Sequence, residues 1–258
     1  MSIRIAYCMH RGMPHRQQDA LLVGADVRQS ANLRSQHVAL DGEVLVALAD
    51  GVAASPNAQL ASQFVLNELP KVLQQHADWC QEGLFNGRHV RETHARLCAE
   101  LAHRPQMHGS ATTLVAAHIK GSRIAILNTG DSRAYLRSAN GSVRQLSRDH
   151  TELQRLRDAG DADAMTEYAS LYGALSDCLV ADSLESDFAI HRETLTLAPN
   201  DLLVLCTDGV HDILGDARWR DLIAEHSDSL TLVHAARTAV LAAGASDNFS
   251  VIAAHSQI

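Results

Sequence analysis

Short apolar runs bounded by turn-forming residues recur along the chain and predict β-strands. They cover residues 43–49, 112–119, 123–128, 133–137, 143–146, 201–206 and 249–254. Lys120-Gly121-Ser122 predicts a hairpin turn between the second and third runs, and Asn140-Gly141 predicts another between the fourth and fifth. Strands that are joined by such short turns are antiparallel neighbours in a sheet.

Apolar residues spaced three and four positions apart predict helices between the groups of strands. The predicted helices cover residues 57–76, 88–103, 151–159, 216–225 and 231–243. Pro70 predicts a kink or an early end of the first helix, because proline has no N–H donor. Gly244 predicts the C-terminal cap of the last helix.

The order of these elements indicates an α+β fold. Strands and helices do not alternate regularly, which favours antiparallel sheets with helices packed outside them over a parallel Rossmann-type sheet. The pattern does not distinguish one sheet from two.

Composition and charge narrow the class of protein. A chain of 258 residues can build one sizeable core, so we expect a single domain over residues 1–258. Asp and Glu outnumber Lys and Arg by 30 to 22, which gives no general attraction to nucleic acid or to anionic membranes. We expect a cytoplasmic protein, because the five cysteines are scattered and the sequence shows neither a secretory leader nor an apolar run of ~20 residues. We also expect a monomer.

Four aspartates stand beside apolar strands. Asp50 and Asp208 each follow such a run and precede a glycine, Asp131 lies between two predicted strands, and Asp247 lies shortly before the last strand. Any one of them could belong to a turn, because Asp-Gly is a common turn dipeptide. Four carboxylates at strand ends instead favour a site for a hard cation such as Mg²⁺ or Mn²⁺, which binds oxygen ligands.

The segments around these aspartates resemble the motifs of the PP2C (PPM) family of metal-dependent protein serine/threonine phosphatases, in family order. They read LADGV at 48–52, GSATT at 109–113, NTGDSRAYL at 128–136, LSRDHT at 146–151, LVLCTDGV at 203–210 and SDNFSVI at 246–252. The resemblance implies a β-sandwich of two antiparallel sheets flanked by helices on both sides.

The resemblance also implies a chemistry, the hydrolysis of phosphoserine and phosphothreonine by a water that two divalent ions activate. Asp50 would bridge the two ions, with the Gly51 carbonyl as a further ligand. Asp208 and Asp247 would complete the coordination of the first ion. Asp131 resembles the position that holds a third ion in bacterial members. The implied cofactors are therefore two or three Mn²⁺ or Mg²⁺ ions.

The N-terminal motif departs from the family pattern R-x-x-N-E/Q-D, because residues 14–19 read PHRQQD. Asp19 matches the final aspartate, which contacts the metal site through water and belongs with the catalytic carboxylates. The arginine that binds the substrate phosphate falls on Pro14. Arg16 or Arg11 could supply a guanidinium from a shifted loop, or Arg16 could be an ordinary solvated charge.

Three further features bear on the predicted cleft. Bacterial relatives usually continue the Asp-Gly pair with Met-Gly-Gly, whereas this chain continues with residues 52–55, VAAS. Residues 160–172 stand where bacterial members of the family carry a flap beside the cleft, and in this chain they are acidic. Asn248 is expected to orient Asp247 rather than to bind an ion.

Three functions are therefore open. The first is a phosphatase for phosphorylated proteins that opposes a cognate bacterial serine/threonine kinase, and the second is a catalytically silent module that binds a phosphoprotein or regulatory partner. The third is a metal-dependent hydrolase of small phosphate esters. The retained carboxylates favour an enzyme, because five acids at one cleft repel one another unless cations are bound.

Overall fold

The computed structural model describes residues 2–160, 174–182 and 187–257, so the predicted acidic flap lies outside the described residues apart from Gly160. Fourteen strands are present in these ranges: β1 Ser2–His10, β2 Ala20–Val23, β3 Asp26–Arg28, β4 Asn32–Asp41, β5 Glu43–Ala49, β6 Ala111–Thr112, β7 Leu114–Lys120, β8 Arg123–Thr129, β9 Arg133–Arg137, β10 Val143–Gln145, β11 Leu179–Val180, β12 His191–Thr196, β13 Leu202–Cys206 and β14 Phe249–Gln257. Six α-helices accompany them in the same ranges: α1 Ala58–Gln75, α2 Gly87–Leu101, α3 Glu152–Ala159, α4 Asp208–Leu214, α5 Asp216–Glu225 and α6 Ser229–Ala242.

Two antiparallel six-stranded sheets form the centre of the fold. One sheet has the order β10-β9-β13-β14-β1-β4 and the other β12-β8-β7-β5-β2-β3, while β6 and β11 form a separate two-stranded ribbon. The hairpins predicted between β7 and β8 and between β9 and β10 are present. The α+β prediction with two antiparallel sheets is therefore confirmed.

Apolar side chains fill the space between the sheets. Each strand alternates its faces, so one set of side chains points to the opposite sheet and the other to the helices. The set between the sheets includes Ile5, Leu48, Ile126, Leu205 and Ile252, none of which is exposed. Each such side chain contributes about 1.5–3 kcal/mol through its burial.

Helices cover both outer faces. Leu66 and Leu69 of α1 and Val90 and Leu97 of α2 pack against the sheet that contains β5. On the other sheet, α4, α5 and α6 supply Val210, Trp219, Leu222, Val233 and Val240. The layer order is therefore helix, sheet, sheet, helix, as the family resemblance implies.

Pro70 lies inside helix α1 rather than at its end. Helix α1 continues through Pro70 to Gln75, so an early end at this proline did not occur. The missing N–H removes one hydrogen bond, while the buried Leu69 and Val72 on either side keep the helix packed against the sheet. Gly244 has the positive φ of 101° that suits a residue just beyond a helix end.

The strand pattern did not predict the four N-terminal strands, β1 to β4. Strand β1 lies between β14 and β4 and pairs with both along its length. Strand β4 carries many polar residues, because it is an edge strand, and it therefore lacks the apolar run that marks a buried strand. No helix in the described ranges is long and apolar enough to cross a membrane.

Candidate active site

Four predicted aspartates meet at one end of the sandwich, and both sheets contribute. Asp50 follows β5, Asp131 lies between β8 and β9, Asp208 begins α4 after β13, and Asp247 lies just before β14. All four line a single cavity of about 490 Å³. Because strands from both sheets end here, the β-sandwich brings together carboxylates that are almost 200 residues apart in the chain.

Burial and mutual repulsion disfavour the charged forms of these carboxyl groups. Burial, and then the charge of Asp208, raise the pKa of Asp50 well above its ordinary value. The same two causes, in the same order, raise the pKa of Asp131 and of Asp247. Among the described residues, no Lys, Arg or His side chain lines the cavity to balance these carboxylates when they ionise.

The donor atoms around the cavity are oxygens, which suit hard divalent cations. Oδ1 of Asp208 is buried and has no hydrogen-bond partner within the described part of the chain. Among the same residues, no three Asp, Glu, His or Cys side chains converge tightly enough to enclose an ion by themselves. A cation here would accordingly use a few carboxylates together with carbonyl and water oxygens, which is how Mg²⁺ is commonly bound.

Asp19 lies behind the cavity wall and is fully buried. Its Oδ2 accepts hydrogen bonds from Ser250 Oγ at 2.7 Å and from Thr207 Oγ1 at 3.1 Å. Its Oδ1 has no partner among the described residues. Burial, opposed by the Ser250 hydrogen bond and reinforced by the charge of Asp208, raises the pKa of Asp19 to about 7.

Two threonines hold the main chain of Asp50. Thr112 Oγ1 donates to the Asp50 carbonyl at 2.9 Å, and the Thr113 N–H donates to the same oxygen at 2.8 Å. Thr113 Oγ1 accepts from the Asp50 N–H at 3.1 Å and shares a 2.9 Å hydrogen bond with Ser132 Oγ. Thr113 thus connects the loop of Asp50 to the loop that carries Asp131.

Gly51 is required by a close approach of two main-chain segments. A Cβ atom at this position would lie 2.7 Å from the carbonyl oxygen of Ala58, at the start of α1. The Gly51 N–H donates to the Gln18 carbonyl at 3.2 Å. The glycine therefore lets the Asp50 loop, the N-terminal loop and α1 meet beside the cavity.

A family model described as Protein phosphatase 2C matches residues 16–243. The chain belongs to the protein phosphatase 2C family. The resemblance inferred from the sequence motifs is confirmed by this match.

Bacterial relatives cover most of this protein phosphatase 2C chain. It is 29% identical over 224 residues to the serine/threonine protein phosphatase PstP of Mycobacterium tuberculosis, which covers 83% of this chain and 40% of PstP. The chain thus spans about two fifths of the length of PstP. The serine/threonine phosphatase stp of Listeria welshimeri is 24% identical over 220 residues, with 82% of this chain and 84% of stp covered.

A solved structure shows the same fold. The catalytic domain of PstP in complex with two manganese ions superposes with a TM-score of 0.71 at 23% sequence identity, and all of both chains is covered. The likeness extends the protein phosphatase 2C assignment from the motifs to the arrangement of the two sheets.

The N-terminal loop differs most from the expectation for a protein phosphatase 2C. Gln18 lines the acidic cavity. Arg11 and Arg16 are exposed, and neither belongs to the described lining of the cavity. The Arg11 guanidinium donates to the His15 carbonyl at 3.4 Å. A role of Arg16 in binding the substrate phosphate therefore stays a prediction.

Several lining residues were not predicted from the sequence. Thr113 and Cys178 contribute to the wall, with Leu175 nearby. The second threonine of the GSATT motif was a usable signal for Thr113, whereas nothing in the sequence pattern marks Cys178. Burial raises the pKa of the Cys178 thiol to about 11, so this group is a neutral part of the wall.

A larger cavity, of about 640 Å³, lies between α2 and the segment before β12. Its Arg91 and Asp187 form an ion pair at 2.9 Å. Unbalanced carboxylates distinguish the acidic cavity, so we place the candidate active site there despite its smaller size.

Proposed function

We propose that this chain hydrolyses phosphoserine and phosphothreonine in proteins and depends on Mn²⁺ or Mg²⁺ for this activity. The observation that carries the proposal is the cavity lined by Asp50, Asp131, Asp208 and Asp247, whose negative charge lacks a balancing cation among the described side chains. The names of the relatives PstP and stp, both serine/threonine phosphatases, support the reaction class.

The carboxylates divide the task of holding the ions. Asp50, with the Gly51 carbonyl beside it, would lie between two ions, and Asp208 and Asp247 would complete the first. Asp131 would hold a third, more weakly bound ion. When bound, the ions neutralise these acids and lower the pKa of a water so that it can attack a phosphate ester near neutral pH. The manganese complex of the PstP catalytic domain supports this choice of cofactor.

The surrounding residues keep this acidic set in place. Thr112 and Thr113 hold the main chain of Asp50. Ser250 and Thr207 fix one oxygen of Asp19, and its other oxygen would accept a hydrogen bond from a water at the ion site. Arg16 would bind the outer oxygens of the substrate phosphate. A serine/threonine kinase that phosphorylates the same protein is the partner that such a reaction requires.

The experiment is a phosphatase assay with controlled metal content. Protein dialysed against EDTA should not hydrolyse p-nitrophenyl phosphate, and Mn²⁺ or Mg²⁺ should restore turnover. A phosphothreonine peptide should then be hydrolysed as well. Undiminished activity after removal of metal would contradict the proposal.

The other outcomes distinguish the two remaining functions. Turnover of p-nitrophenyl phosphate without turnover of phosphopeptides or phosphoproteins would indicate a hydrolase of small esters. Metal binding without any turnover would indicate a silent module.

A further inference from the structure

Asn248 connects the acidic cavity to the N-terminal loop, residues 11–18. Its side chain is 3% exposed. Oδ1 accepts a hydrogen bond from the Gln18 N–H at 2.5 Å, and Nδ2 donates to the carbonyls of Arg11 at 2.6 Å and Arg16 at 3.1 Å. The main-chain N–H of Asn248 donates to Asp247 Oδ1 at 2.7 Å, which joins Asn248 to a carboxylate of the cavity.

The N-terminal loop also packs tightly against the segment before β14. The Met13 N–H donates to the Ala245 carbonyl at 2.9 Å. A Cβ atom at Gly12 would collide with the carbonyl oxygens of Asp247 and Ala245, and Gly12 has a positive φ of 65°. The loop has no regular secondary structure, so hydrogen bonds such as these and those of the Asn248 amide hold it in place.

The side-chain amide of Asn248 matches the hydrogen-bonding groups of the N-terminal loop. The loop offers one N–H donor and two carbonyl acceptors, and an asparagine side chain supplies one carbonyl and one NH₂ group. A carboxylate could accept the bond from Gln18 but could not donate to Arg11 or Arg16. An aliphatic side chain would leave three partly buried main-chain groups without these partners, which is costly.

We propose that Asn248 is a positioning residue that holds the N-terminal loop in the register at which the Arg16 guanidinium meets the substrate phosphate. The argument is geometric, because one buried side chain binds the carbonyls of both candidate arginines and is joined through its main chain to a carboxylate of the cavity. This inference rests on the proposed phosphatase function. Asn248 itself touches neither substrate nor reacting atoms.

The test is the variant Asn248→Ala, measured for substrate and for metal. The KM for p-nitrophenyl phosphate should rise about 10-fold, because the loop loses its register and the phosphate loses a charged partner. The kcat should change less than about 3-fold, and the Kd for Mn²⁺, measured by calorimetry, should likewise change less than about 3-fold. If Asn248 had a purely structural role, the variant would have a lower melting temperature without a selective rise in KM.

A double-mutant cycle with Arg16→Ala tests whether the two residues act together. If Asn248 acts through Arg16, the KM of the double variant should stay close to that of the worse single variant. Increases in KM that multiply would overturn the proposal, as would an unchanged KM in Asn248→Ala.

Asn86→Ala is the matched control. Asn86 is also a buried amide, 4% exposed, which accepts from the Arg88 N–H at 3.0 Å and donates to the Trp79 carbonyl at 2.6 Å. It caps the N-terminus of α2, whose residues do not line the acidic cavity. This variant should lose stability while its KM is unchanged.

Two measurements that need no turnover report whether the N-terminal loop keeps its position. Trypsin should cleave after Arg11 and Arg16 faster in Asn248→Ala than in the wild type, and the affinity of Mn²⁺-loaded protein for inorganic phosphate should fall about 10-fold. An inactive wild-type protein would contradict the proposed function alone. Unchanged phosphate affinity and unchanged cleavage would contradict the role of Asn248.

Discussion

Two charged regions lie side by side in this protein, and they balance their charges in opposite ways. In the acidic cavity, Asp131 and its neighbours face one another without a cation from the described part of the chain. Two residues further on, Arg133 binds both oxygens of Asp149, with Nε at 3.0 Å from each and Nη2 at 2.6 Å from Oδ2. Arg133 Nη1 also binds Asp216 at 2.9 Å.

The pKa shifts follow this difference. Burial alone would lower the pKa of Arg133, yet its hydrogen bonds to Asp149 raise the pKa above its ordinary value. Burial and repulsion together raise the pKa of Asp131. The charged forms are thus favoured in the ion-pair network and disfavoured in the cavity. One short motif, residues 128–136, therefore supplies both Arg133, which forms ion pairs within the protein, and Asp131, which needs a bound cation to balance its charge.

The largest effect should come from removing a cavity carboxylate. Asp50→Asn should lower kcat at least about 1000-fold, or about 4 kcal/mol in the activation barrier, because the site loses the charge between its cations. The melting temperature of the metal-free variant should be no lower than that of the wild type, because repulsion with Asp208 is relieved. Asp208→Asn should behave in the same way.

Steady-state kinetics together with thermal melts check this prediction. Near wild-type turnover of Asp50→Asn would show that the cavity is not the site of catalysis. A large loss of melting temperature would show that Asp50 is structural instead.

The opposite result is expected in the ion-pair network. Arg133→Met should destabilise the fold by about 3 kcal/mol, because the largely buried Asp149 side chain, 11% exposed, would lose its charged partner. Denaturant unfolding measures this loss. Arg144→Met, which removes an exposed ion pair with Glu193, is the matched control and should cost less than about 1 kcal/mol. Equal effects in the two variants would contradict the comparison.

Sequence reasoning located the acidic cavity better than it located the elements around it. Asp50, Asp131, Asp208 and Asp247 stand in local motifs, so neighbouring residues mark each of them. The contact of Asn248 with Arg16 joins positions more than 200 residues apart, and no local pattern encodes it.

The same reason explains the missed strands and lining residues. The polar edge strand β4 has no apolar run, and Cys178 directly precedes β11, which pairs with the distant strand β6. The family pattern marks Pro14 as the departure from the arginine position but does not say where the loop goes afterwards.

Bound cations should balance the charge of the cavity carboxylates and thereby stabilise the fold. Asp19 has a folded pKa of about 7, above its ordinary 3.8, so the folded protein binds more protons than the unfolded chain between these values. The metal-free protein should therefore lose stability as pH rises from about 4 to above 7. Mn²⁺ at about 100 times its Kd should add about 2.7 kcal/mol at pH 7.5.

Melting curves from pH 5 to 8, with and without Mn²⁺, measure both effects. The cation should reduce the fall in melting temperature with pH, because bound metal favours the ionised carboxylates. A metal-free protein that becomes more stable over this range would contradict the assigned imbalance.

The smallest effect should come from replacing Arg16, which is exposed, whereas Arg133 is largely buried in ion pairs. Within the described residues, the Arg16 guanidinium makes no hydrogen bond or ion pair, so it is available to an incoming phosphate. Arg16→Ala should lower kcat/KM by about 1.5–3 kcal/mol, the scale of a charged hydrogen bond, and mainly through KM, because a phosphate clamp acts on ground state and transition state alike. Arg11→Ala is the matched control from the same loop, and kinetics with p-nitrophenyl phosphate compare the two. If Arg11→Ala carries the loss, the loop presents the other arginine, and if neither variant does, the cations alone hold the phosphate.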